Sequence, residues 1–407
     1  MSSWTNTTLG AIARIYDGPH ATPSRRATGP YFLNISSLSN GRLDLSSSDH
    51  VSPDDFTKWT RRVTPRADDL LFSYETRLGE AALMPADVEA CLGRRMALMR
   101  PRREEVDPRF LLYLYLAPQF QATIEQNTIH GATVNRIPLN KMATWEISLP
   151  LLTEQQAIAE VLGALDDKIA ANTTLIASAE EAVRICAQSR AEAAEHKRVT
   201  LGELSNSGVI AFGDGYRTKK SELAESGFRI IRVGDVAQGA ISKGDDYVAA
   251  SLQRSIGAKS AQPQDVILTT KGTVGRVAIV PRTIDTAVYS PQICFFRVLD
   301  HSQLDWGYFA SWFLGRDIQS QLSLRAYRSD MAPYVNLDDI RSIEIPYPRI
   351  SVQQKHGRRV SPLLELAENL REESLTLAAT RDALLPQLMS GKIRVRDAEA
   401  AASEAGA

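Results

Sequence analysis

The 407-residue chain is expected to have a mixed α+β fold, with two related α/β modules, two long antiparallel coiled-coil helices and a pseudo-two-fold internal repeat. Three observations predict this. Short motifs recur at a nearly constant interval, each copy of the module reads as short strands and short helices, and each copy runs into a long stretch with helical spacing of apolar residues.

The repeat is the primary signal. Ile147, Pro150, Gln155 and Gln156 return as Ile345, Pro348, Gln353 and Gln354, each 198 residues later. The same offset takes Gly29 and Ile35 to Gly227 and Val233, and Asp107 and Phe110 to Asp305 and Tyr308. An offset of 196 takes Asp69 and Gly79 to Asp265 and Gly275, and Thr8-Leu9-Gly10 recurs as Thr200-Leu201-Gly202. Co-ordered matches of this kind point to a duplication with small insertions.

Within each module, the apolar runs 69–72, 80–84, 265–269 and 276–280 lie beside turn residues and read as strands. Residues 107–116 and 305–314 read as short helices. Residues 17–66 are rich in Ser, Pro, Asp and Gly, and read as loops between strands. From Glu154 to Lys197 there is no Pro and, apart from Gly163, no Gly. Ile158, Leu162, Leu165, Ile169, Asn172, Ile176, Ala179, Val183 and Cys186 form a coiled-coil seam there, with Asn172 as a register-fixing polar residue. Thr153 reads as its N-cap and Gln156 as the partner in a capping box; the rod would be roughly 65 Å long. Its counterpart carries Leu363, Ala367, Leu370, Ser374, Leu377 and Leu384, with Pro362 placed to kink it and Arg381 interrupting the seam. The resulting segments are 1–150, 151–197, 198–348 and 349–392, followed by a flexible tail at 393–407. Two long helices of one chain pack most economically antiparallel. That arrangement would relate the modules by an approximate two-fold axis, as opposed half-sites in a duplex require.

Composition excludes several classes. Three separated cysteines, Cys91, Cys186 and Cys294, build neither a disulfide framework nor a zinc module, and suit a reducing compartment. No signal-peptide pattern or membrane-spanning apolar run is present. The net charge of −1 argues at first against a nucleic-acid partner. Resolved along the chain, residues 1–150 carry 17 basic and 16 acidic groups, and 197–350 carry 19 and 16, whereas 151–196 carry 3 and 8. The modules are slightly basic and the first long helix is acidic, which is compatible with local contact to DNA.

Glycine-bearing turns at 74–79 and 270–275 offer hydroxyl, Lys and Arg side chains suited to phosphates or base edges. A second patch at 325–329 matches 127–131, and the densest basic stretch is Arg94, Arg95, Arg100, Arg102, Arg103 and Arg109. Solvated surface charge is the plain alternative for each. The six histidines show no metal spacing, and no Walker A, GxSxG or GxGxxG run occurs. Asp265 with Lys271 imitates a nuclease arrangement but lacks its second carboxylate, where Thr269 stands; Asp69 and Glu75 are followed by Arg77 instead of a lysine. No intrinsic catalytic role is expected.

The run 148–169 (SLPLLTEQQAIAEVLGALDDKI), the run 17–24 (DGPHATPS) and the terminal run 384–393 (LLPQLMSGKI) together resemble the specificity subunit of type I restriction-modification systems. The resemblance spans nearly the whole chain. It implies that each module is a target recognition domain reading one half of a bipartite, asymmetric DNA site, and that the helices form a spacer and a docking surface for two modification subunits. S-adenosylmethionine would be bound by those modification subunits, and ATP and Mg by partner restriction subunits that supply the motor and nuclease. This chain would bind no cofactor or metal, and would work in a prokaryotic cytoplasm with no membrane contact. The candidate DNA-contacting residues are His20, Thr22, Tyr74, Thr76, Arg77, His130 and Thr133 in the first module, and Tyr216, Arg217, Lys219, Thr270, Lys271, Thr273, Arg325, Tyr327 and Arg328 in the second. Departures from the family pattern are Val352 ahead of the second Gln-Gln, Pro362 in the helix, and 331–333 against 133–135. An elongated symmetric protein-protein scaffold without DNA reading is the competing expectation.

Overall fold

The computed structural model describes residues 4–19, 22–131, 134–191, 197–237, 239–242, 244–326 and 333–406. It divides into two compact units, one comprising residues 1–171 and 373–407, the other residues 172–372. The division falls inside both long helices and not at their ends. These helices are Leu152–Ala191 and Ile350–Met389, each 40 residues long.

In the first unit a four-stranded antiparallel sheet has the order Ala13–Asp17, Met96–Pro101, Leu70–Ser73, Ala81–Leu83. Alternation along its strands covers both faces. Leu70, Phe72, Ala97 and Met99 join the main core with helix Pro108–Leu116, while Leu71, Met96 and Leu98 join a second core. That second core lies under a smaller sheet, in which Arg26–Leu33 pairs in parallel with Ala90–Leu92. Asp107 starts helix Pro108–Leu116, its carboxylate accepting from the Phe110 N–H at 2.9 Å, with Pro108 in the first turn. Strand Thr5–Thr8 pairs with Glu146–Leu149, the strand that leads into the central helix.

The second unit repeats this plan. Its sheet order is Ile210–Asp214, Ile293–Val298, Val266–Thr269, Val277–Ile279, and Phe228–Ile231 pairs in parallel with Ala287–Tyr289. Asp305 caps helix Trp306–Phe313 through the Tyr308 N–H at 2.9 Å. Arg198–Thr200 pairs with Glu344–Pro346. Residues 17–66 and their counterparts therefore hold more regular structure than their composition suggests, including the eight-residue strand Arg26–Leu33 and helix Pro53–Trp59.

The seam is packed as the four-and-three spacing requires. In the first unit Ile158, Leu162 and Leu165 are buried in one core with Leu377, Leu384 and Leu388, and Ile169 packs against it. The two helix segments run antiparallel there, with Lys168 on Glu373 at 3.3 Å and Asp166 on Arg381 at 2.7 Å. Arg381 thus fills its seam position with an ion pair. In the second unit Asn172 and Val183 are buried and Ile176 is half-buried, and Glu180 pairs with Arg371. The buried stripe of the C-terminal helix in this unit is Gln353, His356, Val360, Leu364 and Ala367; Leu363 and Leu370 sit at its margin. Helix Ile350–Met389 runs through Pro362 as one element.

Two local expectations are corrected. The central helix begins at Leu152, so Thr153 lies inside it and is exposed rather than capping it. Gln156, expected as the capping-box partner, is exposed, and the buried glutamine of the pair is Gln155. Residues 393–407, expected as a flexible tail, contain helix Val395–Ala405, whose Ala398 is fully buried in the first unit with Ala401, Ala402 and Ala405 alongside.

Cys91 and Cys294 are buried in their modules, and burial pushes both thiols up, Cys91 to about 12. A thiol probe at neutral pH is expected to label the half-buried Cys186 first and the other two only on unfolding. Equal labelling of all three in the folded protein would contradict this packing.

Candidate nucleic-acid interface

Four loops converge at one end of each four-stranded sheet, and strand register places them there. In the first unit Ser73 pairs with Met96, so the hairpin 74–80 and the turn 93–95 leave from the same end. Leu33 pairs with Leu92, and its carbonyl accepts from the Gly93 N–H at 2.6 Å, which brings Asn34 alongside. The Gly18 N–H donates to the Met96 carbonyl at 2.8 Å, so the run after Asp17 starts here too. In the second unit Thr269 pairs with Ile293, Ser290 N–H donates to Ile231 O at 2.9 Å, and Gly215 N–H donates to Ile293 O at 3.1 Å. Gly18 and Gly215 are packing glycines. A Cβ on Gly215 would lie 2.2 Å from the Ser290 carbonyl oxygen, and one on Gly18 2.7 Å from the Met96 oxygen.

The hairpin itself is clamped identically in both modules. Gly79 and Gly275 take φ of +88° and +93°, and their carbonyls accept from the Nε2 of Gln121 and Gln319 at 3.2 and 3.0 Å. In the first module the patch 127–131 reaches this end through Arg136, which bridges both Ile129 and Glu75; its counterpart at 325–329 lies partly outside the described residues. Ile137 N–H donates to Tyr74 O at 2.8 Å, and Val335 N–H to Thr270 O at 2.9 Å. Bridges join Glu75 to Arg136 and Lys271 to Tyr334.

Not every predicted residue is available there. Tyr74 is 5% exposed in the main core, and burial, followed by the charges of Glu75 and Asp17, pushes its phenol up. Thr270 is 7% exposed, its hydroxyl donating to the Gln292 carbonyl at 3.0 Å. Both support the loop from beneath, because turn membership says nothing about which way a side chain points. Arg77 holds the Ile35 carbonyl and Glu80 at 3.0 Å each. Arg325 is committed to Ser342 and the Gln321 carbonyl. The Tyr216 hydroxyl donates to Glu222 at 3.2 Å, with burial raising its pKa first and the Glu222 bond adding to it. Thr22, Thr76, His130, Arg217, Lys219, Lys271 and Thr273 are exposed. His20, Thr133, Tyr327 and Arg328 lie outside the described residues.

The arginine-rich stretch is not one surface. Arg95 stands at the hairpin end. Arg100, Arg102 and Arg103 line a concavity at the opposite end of the sheet with Arg14 and Arg66, facing Asp68, Asp69 and Glu104. Arg109 pairs with Asp167 of the central helix at 2.6 Å. The residues that sequence reasoning missed at the hairpin end include Arg232 and Gln292, which share a surface concavity with Lys271, Gly272 and Thr273. Aligning the two copies position by position would have flagged them, since they match Asn34 and Arg95.

Asp69 and Asp265, the acids of the nuclease imitation, are both buried and ion-paired. Asp265 accepts from Arg297 Nε and Nη2 at 2.7 and 2.6 Å and from the Tyr289 hydroxyl at 2.6 Å. Asp69 accepts from Arg100 Nε and Nη2 at 2.9 and 2.7 Å. Each stands in the same place in its module, so the shared acid reflects the duplicated frame. Among the described residues no cluster of three or more His, Cys, Asp or Glu is placed to hold a metal ion, and no helix is long and apolar enough to cross a membrane.

Comparison with known proteins gives this end a context. The chain is 22% identical over 413 residues to an inferred type I restriction enzyme specificity subunit, MjaX, of Methanocaldococcus jannaschii, covering 94% of this chain and 91% of that one. It is 19% identical over 311 residues to the EcoBI specificity subunit of Escherichia coli, covering 70% and 64%. The crystal structure of the type I restriction-modification S subunit from M. genitalium shares the fold with a TM-score of 0.61 at 17% identity, over 95% of this chain and 96% of that one. The type I restriction modification DNA specificity domain matches residues 1–181 and again residues 195–377, one copy on each repeat, and the chain belongs to that family.

Proposed function

We propose that this chain is the sequence-reading subunit of a type I restriction-modification complex, each module recognising one half of a bipartite, asymmetric site in duplex DNA. The observation that carries the reading is the duplicated hairpin end. The same glycines, glutamine clamps and strand register recur in both modules, while the exposed side chains mounted on them differ. A duplicated frame with unlike side chains suits two half-sites of unlike sequence. The outward faces of the long helices dock two modification subunits, which bind S-adenosylmethionine and perform adenine methylation. Restriction subunits contribute ATP- and Mg-dependent translocation and cleavage. This chain supplies recognition and no bond-making chemistry, and it acts in a prokaryotic cytoplasm.

Genome-wide mapping of methylated adenines in cells with and without the gene tests this. A bipartite motif that vanishes with the gene is the expected result; an unchanged methylation pattern overturns the proposal. Duplex affinity of the assembled complex is expected to fall steeply with salt, since phosphate contacts release counterions. Salt-independent association would instead favour a protein-binding scaffold.

A further inference from the structure

The hairpin end holds a small cluster whose backbone support is shared between modules and whose chemistry is not. In the first module the Tyr74 N–H donates to the Arg95 carbonyl at 3.1 Å; in the second the Thr270 N–H donates to the Gln292 carbonyl at 2.8 Å. This makes Arg95 and Gln292 equivalent. The bridges from Glu75 to Arg136 and from Lys271 to Tyr334 make Glu75 and Lys271 equivalent, and Thr76 then matches Gly272.

The first cluster is under local backbone strain. Thr76 and Arg95 have φ of +71° and +72°, a region that β-branched and long side chains rarely occupy, whereas Gly272 takes +77° freely. Arg95 Nη1 donates to Thr76 Oγ1 at 3.1 Å. Arg95 Nε lies 3.4 Å from Glu75 Oε2, yet it is buried and makes no hydrogen bond. The pair is about a third and a quarter exposed, so both side chains reach the surface from a held backbone. In the second module Lys271 and Gln292 are exposed beside Arg232.

Resting on the function proposed above, we infer that these positions set base preference. Arg95 and Glu75 of the first module recognise a guanine·cytosine pair, and Gln292 with Lys271 of the second recognises adenine beside a guanine. Guanine offers O6 and N7 to a guanidinium, cytosine offers its N4 amino group to a carboxylate, and adenine matches a side-chain amide through N6 and N7. The hydrogen bonds that keep Arg95 and Thr76 in this strained conformation pre-organise the first reader. At Gly272 the same conformation carries no strain, and the second reader relies on the exposed Lys271 and Gln292 side chains.

The test transplants one chemistry onto the other frame. In cells expressing the full chain with its modification subunits, Arg95→Gln combined with Glu75→Lys is expected to move one position of the first half-motif from G·C to A·T, by tenfold or more in preference. The second half-motif should stay unchanged and acts as an internal control. Intact methylation with the original first half-motif overturns the inference. Should thermal melting show the double variant unfolded, the exposed single change Gln292→Arg decides: a gained guanine in the second half-motif supports the inference, and an unaltered motif overturns it. If the wild-type chain writes no bipartite motif, the functional reading itself falls, which is a distinct result.

Discussion

Asp265→Ala is expected to destabilise the second unit by about 3–5 kcal/mol, the cost of breaking a buried ion pair by removing one partner. The carboxylate is fully buried and Arg297 is 14% exposed, so the guanidinium left behind cannot turn easily to water. The Tyr289 hydroxyl and the Gln262 N–H lose an acceptor as well. Asp69→Ala should cost less, because Arg100 is 25% exposed and, among the described residues, no tyrosine hydroxyl donates to Asp69. For a unit of this size the larger change corresponds to a drop in melting temperature of about 10 °C. Urea denaturation of both variants checks the order. Equal, small shifts of the midpoint at unchanged slope would show that neither pair supports its sheet. The same measurement separates structural from catalytic acids, since a metal ligand is usually held at some expense to stability and its removal relieves repulsion.

The parts of this molecule that were legible in the sequence are those with a local or repeated signature. The seam residues Ile158, Leu162 and Leu165 obey a period that only a helix satisfies. Asp107 and Asp305 announce helix starts, as short carboxylates three residues ahead of an apolar position do. The parallel pairing of Tyr31–Leu33 with Ala90–Leu92 was not legible, because it joins only three residues of each strand across a long stretch of intervening chain, and no local pattern marks such a distant partner. The tail helix was hidden for another reason. Its alanines look like low-information polar tail, yet Ala398, Ala401, Ala402 and Ala405 fall on one face that fits closely against a core. At the candidate interface, sequence placed the turns correctly and misjudged burial, sending Tyr74 and Thr270 outward when a supporting role beneath the loop requires them inside. Arg232 and Gln292 escaped because each is an isolated surface residue with no pattern inside its own module; only their positions opposite Asn34 and Arg95 in the other copy mark them.

The paired glutamines at the start of each long helix give the second large effect, and the two members of each pair should behave oppositely. Gln353 is fully buried. Its Oε1 accepts from the Asp305 N–H at 3.0 Å, and its Nε2 donates to the Pro348 carbonyl at 2.7 Å and toward Gln303 O at 3.4 Å. One side chain therefore ties the long helix to the strand before it and to the cap of helix Trp306–Phe313. Gln155 makes the same connections to Asp107, Pro150 and Glu105 at 3.0, 3.0 and 3.2 Å, so Val352 in place of glutamate leaves the second latch intact. Gln353→Ala leaves a buried N–H and a buried carbonyl without partners, a cost of about 2–4 kcal/mol. Gln353→Glu should be worse, since a carboxylate of nearly the same shape sets negative charge against the Pro348 carbonyl in a buried place. The exposed Gln354 should tolerate either change within about 0.5 kcal/mol. Denaturation midpoints of the four variants decide between a hydrogen-bonded latch and mere filling of space: if alanine and glutamate at 353 cost the same, or if 354 proves as sensitive as 353, the amide is not what joins helix to module.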